Sequence, residues 1–201
     1  MTELGRIISA GIQEFRASCT NGKETLPVLG GLVWAKMGED GKIYAVVKNL
    51  TISEDGLIAQ IARSIEMDPS LLWDNRRNRT IAVVINAVVV GFSVEKDYQH
   101  RIPSHPSAVL EIVESCSMED AAAFCTSSNY DYLRFLMPQY DVPRFDLLAA
   151  HFSWLQHTLS KEITKKWKDS AIRKLHSLLQ DDPDCYLRLV EFLYHLERLP
   201  S

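Results

Sequence analysis

Hydrophobic positions in the first half of the chain alternate or run in short β-branched blocks, a pattern that predicts strands. The blocks are Arg6–Ala10, Glu14–Cys19, Gly31–Met37, Lys42–Ile52 and Thr80–Val94. Turn-forming clusters separate them at Thr20-Asn21-Gly22-Lys23 and Gly38-Glu39-Asp40-Gly41. The second cluster lies between Val33-Trp34-Ala35 and Ile43-Tyr44-Ala45, as a hairpin requires. Five or six strands in the first 100 residues, each apolar on one side, suit a small closed or nearly closed barrel. One helix interrupts them. Ser53 can cap it, Leu57, Ile58, Ile61, Ala62 and Ile65 share a face, and Asp68-Pro69 opens a further short turn. The expected topology is thus a barrel whose fourth and fifth strands are joined by a helix.

After Arg101 the period becomes helical. Pro103 and Pro106 mark an extended linker over 101–116. Ser117-Met118-Glu119-Asp120 and Ser128-Asn129-Tyr130-Asp131 each place an acidic residue three after a serine, so two short capped helices are predicted. Phe145, Leu148, Phe152, Leu155 and Leu159 recur at helical spacing, and Ile163, Trp167, Ala171 and Leu175 continue it. With no Gly or Pro between Pro143 and Pro183, this is one long bent helix or two abutting ones. Asp182-Pro183-Asp184 starts a last helix that buries Leu189, Phe192, Leu193 and Leu196. The expected class is α+β: a small N-terminal antiparallel β-barrel over 1–100, the linker over 101–116, and an all-helical region over 117–201.

Composition adds compartment and removes several function classes. At 201 residues and 46% hydrophobic the chain can bury a sizeable core, and disordered or fibrous compositions are excluded. Residues 1–16 mix charges with short apolar pairs and do not read as a signal peptide. The apolar run Ile81–Phe92 is too short to span a bilayer and too β-branched to be a membrane helix. Cys19, Cys116, Cys125 and Cys185 form no C-x-x-C pair, which predicts reduced thiols, three of them beside apolar patterning, in a cytoplasmic protein.

Catalytic motifs are missing from this sequence. There is no P-loop, since Gly30-Gly31 leads into the strand Leu32-Val33-Trp34, and neither a dinucleotide-binding glycine fingerprint nor a G-x-S-x-G elbow. His100, His105, His151, His157, His176 and His195 show no metal-ligand spacing and read as surface or structural histidines. Glu39-Asp40, Glu54-Asp55 and Asp181-Asp182 read as turn or capping carboxylates. Glu95-Lys96-Asp97, just past a strong strand, is the one place for a metal-dependent nuclease site, with a hairpin as the plainer reading. No catalytic, cofactor-binding or metal-binding residues are therefore assigned.

Basic groups remain. Lys161, Lys165, Lys166, Lys168, Arg173 and Lys174 read as the solvated face of an amphipathic helix. Arg76, Arg77 and Arg79 cluster tightly enough to contact a nucleic acid or a partner. The net charge of −4, with neither half cationic, argues against strong nucleic-acid affinity.

The order of strands carries a resemblance. Leu4-Gly5-Arg6-Ile7-Ile8-Ser9, a short second strand, Val28-Leu29-Gly30-Gly31-Leu32-Val33-Trp34-Ala35, and Lys42-Ile43-Tyr44-Ala45-Val46-Val47-Lys48-Asn49-Leu50 resemble the HAS barrel. That is the small barrel at the N-terminus of HerA-type DNA-translocating ATPases and of ATP synthase ring subunits. The likeness covers residues 4–95, with Ala45 where the family usually has glycine, and 79–92 as the closing strand. It implies assembly: such barrels pack around a ring, and in HerA-type machines that collar meets a NurA-type nuclease. Without a P-loop, the expectation is a stand-alone, non-catalytic barrel protein that serves as an adaptor for a ring translocase or its nuclease, with self-association also open. The alternative is a small-barrel nucleic-acid-binding protein, of weak affinity, using Arg76, Arg77 and Arg79 with Trp34 and Tyr44. Candidate interface aromatics are Trp34, Tyr44, Trp73 and Trp154, each of which burial would explain as well. No membrane partner is expected.

Overall fold

A computed structural model of the chain describes residues 2–20, 27–52 and 82–196. Its first part contains β1 (Glu3–Ala10), β2 (Glu14–Thr20), β3 (Leu32–Met37), β4 (Gly41–Ile52), β5 (Ala82–Val94), β6 (Asp97–Gln99) and β7 (Ile112–Ser115). Six of these strands close into an antiparallel barrel in the cyclic order β1-β2-β5-β4-β3-β7, and β6 adds onto the end of β5. Closure depends on three non-local pairings, β2 with β5, β7 with β1 and β7 with β3. The predicted β3–β4 hairpin forms, with Met37 opposite Gly41. The helix expected from Ser53 lies outside the described residues, as does the Thr20–Lys23 turn after Thr20.

The stretch 101–116 is more than a linker. Ile112–Ser115 is the strand that joins β1 to β3 and completes the barrel, so the barrel does not end at residue 100. The prolines hid it: a four-residue strand after two prolines gives too short an alternation to register as an element.

The C-terminal part holds α1 (Met118–Thr126), a 3-10 helix (Ser128–Leu136), α2 (Arg144–Thr158), α3 (Lys161–Leu178) and α4 (Pro183–Leu196). Ser117 caps α1 as its spacing predicts, accepting from the Asp120 amide at 3.1 Å. Ser128 does not cap the next helix. Ser128, Asn129 and Tyr130 all adopt left-handed φ values, and the Ser128 hydroxyl donates instead to the Tyr98 carbonyl. Between Pro143 and Pro183 there are two helices. The break falls at Ser160, whose hydroxyl accepts from the Ile163 amide and starts α3 afresh. Asp182 caps α4 through the Cys185 amide at 3.1 Å, and of the four leucine and phenylalanine positions assigned to its buried face, Phe192 is only partly buried.

Two cores share the barrel wall. Inward residues such as Ile7, Phe15, Val33, Ile43, Ile85 and Val113 fill the barrel. Outward residues Leu32, Tyr44, Val46, Val88 and Val90 join Phe124, Tyr132, Leu148, Phe152 and Trp167 of the helical part in a second core. The helices therefore pack directly on β3, β4 and β5, and residues 117–196 share their core with the barrel. Tyr44 stacks on Phe124 with centroids 4.4 Å apart, and the ring contacts continue through Tyr132, His151 and Phe152 to Trp167.

One imidazole ties this interface. His151 of α2 is fully buried, its Nδ1 at 2.7 Å from the Gly30 carbonyl and its Nε2 at 3.1 Å from the Tyr132 hydroxyl. A carbonyl can only accept, so Nδ1 carries the proton and Nε2 accepts from Tyr132. Gly30 has φ +77°, and a Cβ there would lie 2.3 Å from the His151 backbone nitrogen. Only a glycine lets the turn before β3 approach α2 this closely. Gly91 serves Phe124 similarly, since a Cβ on it would come within 2.9 Å of the ring.

Two stability outcomes follow. Gly30→Ala should cost at least about 2 kcal/mol in denaturant unfolding, because both the backbone angle and the space are wrong for a side chain. Burial lowers the His151 pKa from 6.5 to about 4, against the opposing hydrogen bond to Gly30. The unfolded chain then binds the proton first, so stability should fall by about 3 kcal/mol as pH drops from 6.5 to about 4, with no contribution above 6.5. His151→Gln should remove that part of the pH slope, read from unfolding curves across the range.

Candidate functional site

Among the described residues, one concavity lies at the seam between barrel and helical part. Val47 pairs with Ala87 and Asn49 with Asn86, so Lys48 is the extra residue of a β-bulge in β4. The bulge leaves Lys48 unpaired in the ladder and directs its side chain to the seam. There Nζ lies 2.8 Å from Glu14 and 3.2 Å from Asp141, with the Lys48 side chain only 10% exposed against 61% and 41% for the two carboxylates. Burial disfavours the ammonium, but the hydrogen bonds and charges of Glu14 and Asp141 outweigh it and raise its pKa above the ordinary lysine value. This cation stays charged.

A cleft of about 560 Å3 opens beside it, lined by Val88, Ile102, Phe135 and Pro138 together with Gln13 and Gln139. Residues 138–141 separate it from a second concavity of about 610 Å3 that reaches Arg144 and Asp182. Arg144, in the wall of the second, places Nη1 3.6 Å from Asp182, which also lines it, and 3.6 Å from Asp181. Tyr140, at the crest between the two, is wholly exposed.

The aromatic candidates from the sequence are mostly spent inside the molecule. Tyr44 is completely buried against Phe124 and cannot meet a partner. Trp34 is half-buried against the second core, and its ring carries Lys42 Nζ at 4.4 Å, which also pairs with Asp120 of α1 at 2.7 Å. Trp154 is half-buried, near-parallel to His151, and lines a shallow groove of about 460 Å3 with Val28 and Leu29. Trp73, Arg76, Arg77 and Arg79 lie outside the described residues. The structure thus does not bring Trp34 and Tyr44 together on an open face, which a stacking surface for bases would need.

Glu95 and Lys96 form the two-residue turn between β5 and β6, both at positive φ, and Asp97 accepts from Gln99 Nε2 at 2.6 Å. The E-K-D segment is a hairpin. Among the described residues no group of three His, Cys, Asp or Glu side chains is arranged to hold a metal ion. Lys168 and Lys174, read as solvated, are engaged: Lys168 lies over the Tyr194 ring at 4.6 Å, and Lys174 pairs with Asp131. All four cysteines are free and buried, and burial raises the Cys116, Cys125 and Cys185 pKa values, so these thiols are inert. Among the described residues no helix is long and apolar enough to cross a membrane.

A second feature lies across the barrel. In the six-strand cycle β1 stands three positions from β4, so it faces away from the helices. Ile7 pairs with Ala17 and Ser9 with Arg16, which makes Ile8 a bulge residue that turns outward. Leu110 donates its amide to the Ile7 carbonyl and accepts from Arg6 Nη1 through its own carbonyl. These bonds hold it at φ +71° with its side chain 65% exposed, beside exposed Val109 and Ile8. Sequence inspection missed Lys48 and Leu110. The one available signal was a lysine inside the apolar run Ile43–Leu50.

No known family model matches the chain, and a comparison with curated proteins finds no match either.

Removing both carboxylates from Lys48 should hurt more than removing the lysine. Glu14→Gln with Asp141→Asn strands a nearly buried cation and should cost about 3 kcal/mol, whereas Lys48→Met lets two partly exposed carboxylates rehydrate and should stay within about 1 kcal/mol of the wild type. Urea unfolding of the three proteins at neutral pH reads this order directly.

Proposed function

We propose that this chain is a non-catalytic β-barrel module that docks on a protein partner. By the HAS-barrel resemblance, the partner is a HerA-type ring DNA translocase or its NurA-type nuclease, in DNA processing or defence. The observation that carries the reading is the flank of the barrel opposite the helices. A closed barrel leaves little free strand edge, here the three-residue β6 among the described residues, so a partner is met mainly through side chains. On β3, β4 and β5 those side chains are already covered by helices. On the β1–β7 side, Ile8, Val109 and Leu110 stand exposed, and the Leu110 amide bonds to the carbonyl of Ile7, the residue before Ile8. Holding a leucine at positive φ costs on the order of 1 kcal/mol, and here it places an apolar side chain in water. A docking contact that buries it gives that cost a use.

The test is light scattering on the purified chain alone, and then mixed with a purified HerA-type translocase and separately with a NurA-type nuclease. A stoichiometric complex with either, lost in Leu110→Asp while the melting temperature holds, is the expected result. Absence of any complex with both partners at micromolar concentrations overturns this reading.

A further inference from the structure

We infer that the outer face of the α3–α4 pair is a dimer interface, where a second copy of this chain packs with α3 of each copy over α4 of the other. This surface is separate from the β1–β7 flank and does not depend on the partner proposed above. The two helices run antiparallel, since Lys168 Nζ lies over the Tyr194 ring at 4.6 Å and the His176 and Tyr186 rings meet at 5.4 Å. Those contacts bring Ile172 level with Val190, and both are half-buried. α4 is apolar on two sides. Cys185, Leu189, Leu193 and Leu196 face the core, while Leu187, Val190 and Tyr194 follow at i, i+3 and i+7 along a second line beside α3. Leu187 is 57% exposed and Tyr194 52%, so with Ile172 they leave an apolar strip along the outside of the helix pair.

The charges beside the strip select its occupant. On the exposed edge of α3, Lys161, Lys165 and Arg173 outnumber Asp169, and Lys166 and Glu162 pair with each other at 3.2 Å. On the exposed edge of α4, Asp184 and Glu191 run beside Leu187, and Arg188 is drawn away over the Phe145 ring at 4.1 Å. The strip therefore has a basic margin on one side and an acidic margin on the other. A uniformly basic or acidic partner would match only one of them. A two-fold axis along the strip turns each margin onto its opposite, as an isologous interface requires. The antiparallel register sets Arg173 within a turn of Glu191 in height, so Arg173 of one copy faces Glu191 of the second copy.

Sedimentation equilibrium of the full chain over a dilution series tests this. The wild type should have twice the monomer mass at about 100 μM and return to the monomer on dilution, as a small interface allows. Leu187→Asp should stay monomeric at that concentration. Arg173→Glu and Glu191→Arg should each weaken dimerisation about tenfold, because the pair occurs twice and becomes repulsive, and the double reversal should restore it. All three positions are exposed, so helical circular dichroism should hold in every variant. Leu110→Asp, across the barrel, should dimerise as the wild type does. A monomer at about 1 mM, a dimer that survives Leu187→Asp or is lost in Leu110→Asp, or a double reversal no better than either single change overturns the inference. The Leu187→Asp monomer should still bind the translocase or nuclease, so the dimer and the partner complex fail separately.

Discussion

Strands β4 and β5 are apolar on both faces, and a closed barrel can bury only one. Val47 and Ile43 point into the barrel while Tyr44 and Val46 point out, and in β5 Val89 points in while Val88 and Val90 point out. Leaving an outward set of this size in water would cost about 1.5–3 kcal/mol for each large side chain. The helical part exists, in physical terms, to cover that face. Its aromatic residues do so in a connected series from Tyr44 to Trp167. The helices are consequently a second layer on the barrel wall, sharing one core with it, rather than a separate domain on a tether.

The polar groups at that interface follow from the same requirement. His151 enters an apolar layer and must be neutral and fully bonded there, which the Gly30 carbonyl and the Tyr132 hydroxyl provide. His100 is held at one ring nitrogen only: Nε2 lies 2.9 Å from the Phe124 carbonyl, Nδ1 is buried with no partner among the described residues, and burial lowers its pKa. At the rim of the same layer, Lys42 joins β4 to α1 and Lys48 joins β4 to the 138–141 segment, each through a carboxylate on the helical side. These pairs fix the direction in which the helices lie on the barrel, while the apolar face supplies most of the energy.

Function, on this view, belongs to what the packing leaves over. The wall facing the helices is closed, which withdraws Tyr44 and much of Trp34 from any outside contact. Among the described residues, the seam with its two concavities stays open, as does the opposite flank, where two local devices expose apolar groups. One device is the bulge at Ile8, and the other is the left-handed Leu110. Both are departures from regular strand geometry, and such departures persist only where the surrounding structure enforces them.

Much of the fold was legible in the sequence because it is written in local periodicity. The strands β1 to β5, the β3–β4 hairpin, and the starts of α1 and α4 at Ser117 and Asp182 all depend on side chains within a few residues of one another. The reading went astray where a distant contact decides. A four-residue β7 is stable only because β1 and β3 flank it, and Ser128 gives up its capping role to a bond with Tyr98, thirty residues away. Tyr44 read as a surface aromatic because nothing local says that Phe124 will stack on it. The site was the least legible part. Glu14, Lys48 and Asp141 come from three separate segments, and Leu110 owes its conformation to Ile7 and Arg6 across the barrel seam. The sequence by itself determined which residues wish to leave water and with what period. The tertiary structure decided which surface remained after that wish was met, because burial is a property of neighbours far apart along the chain.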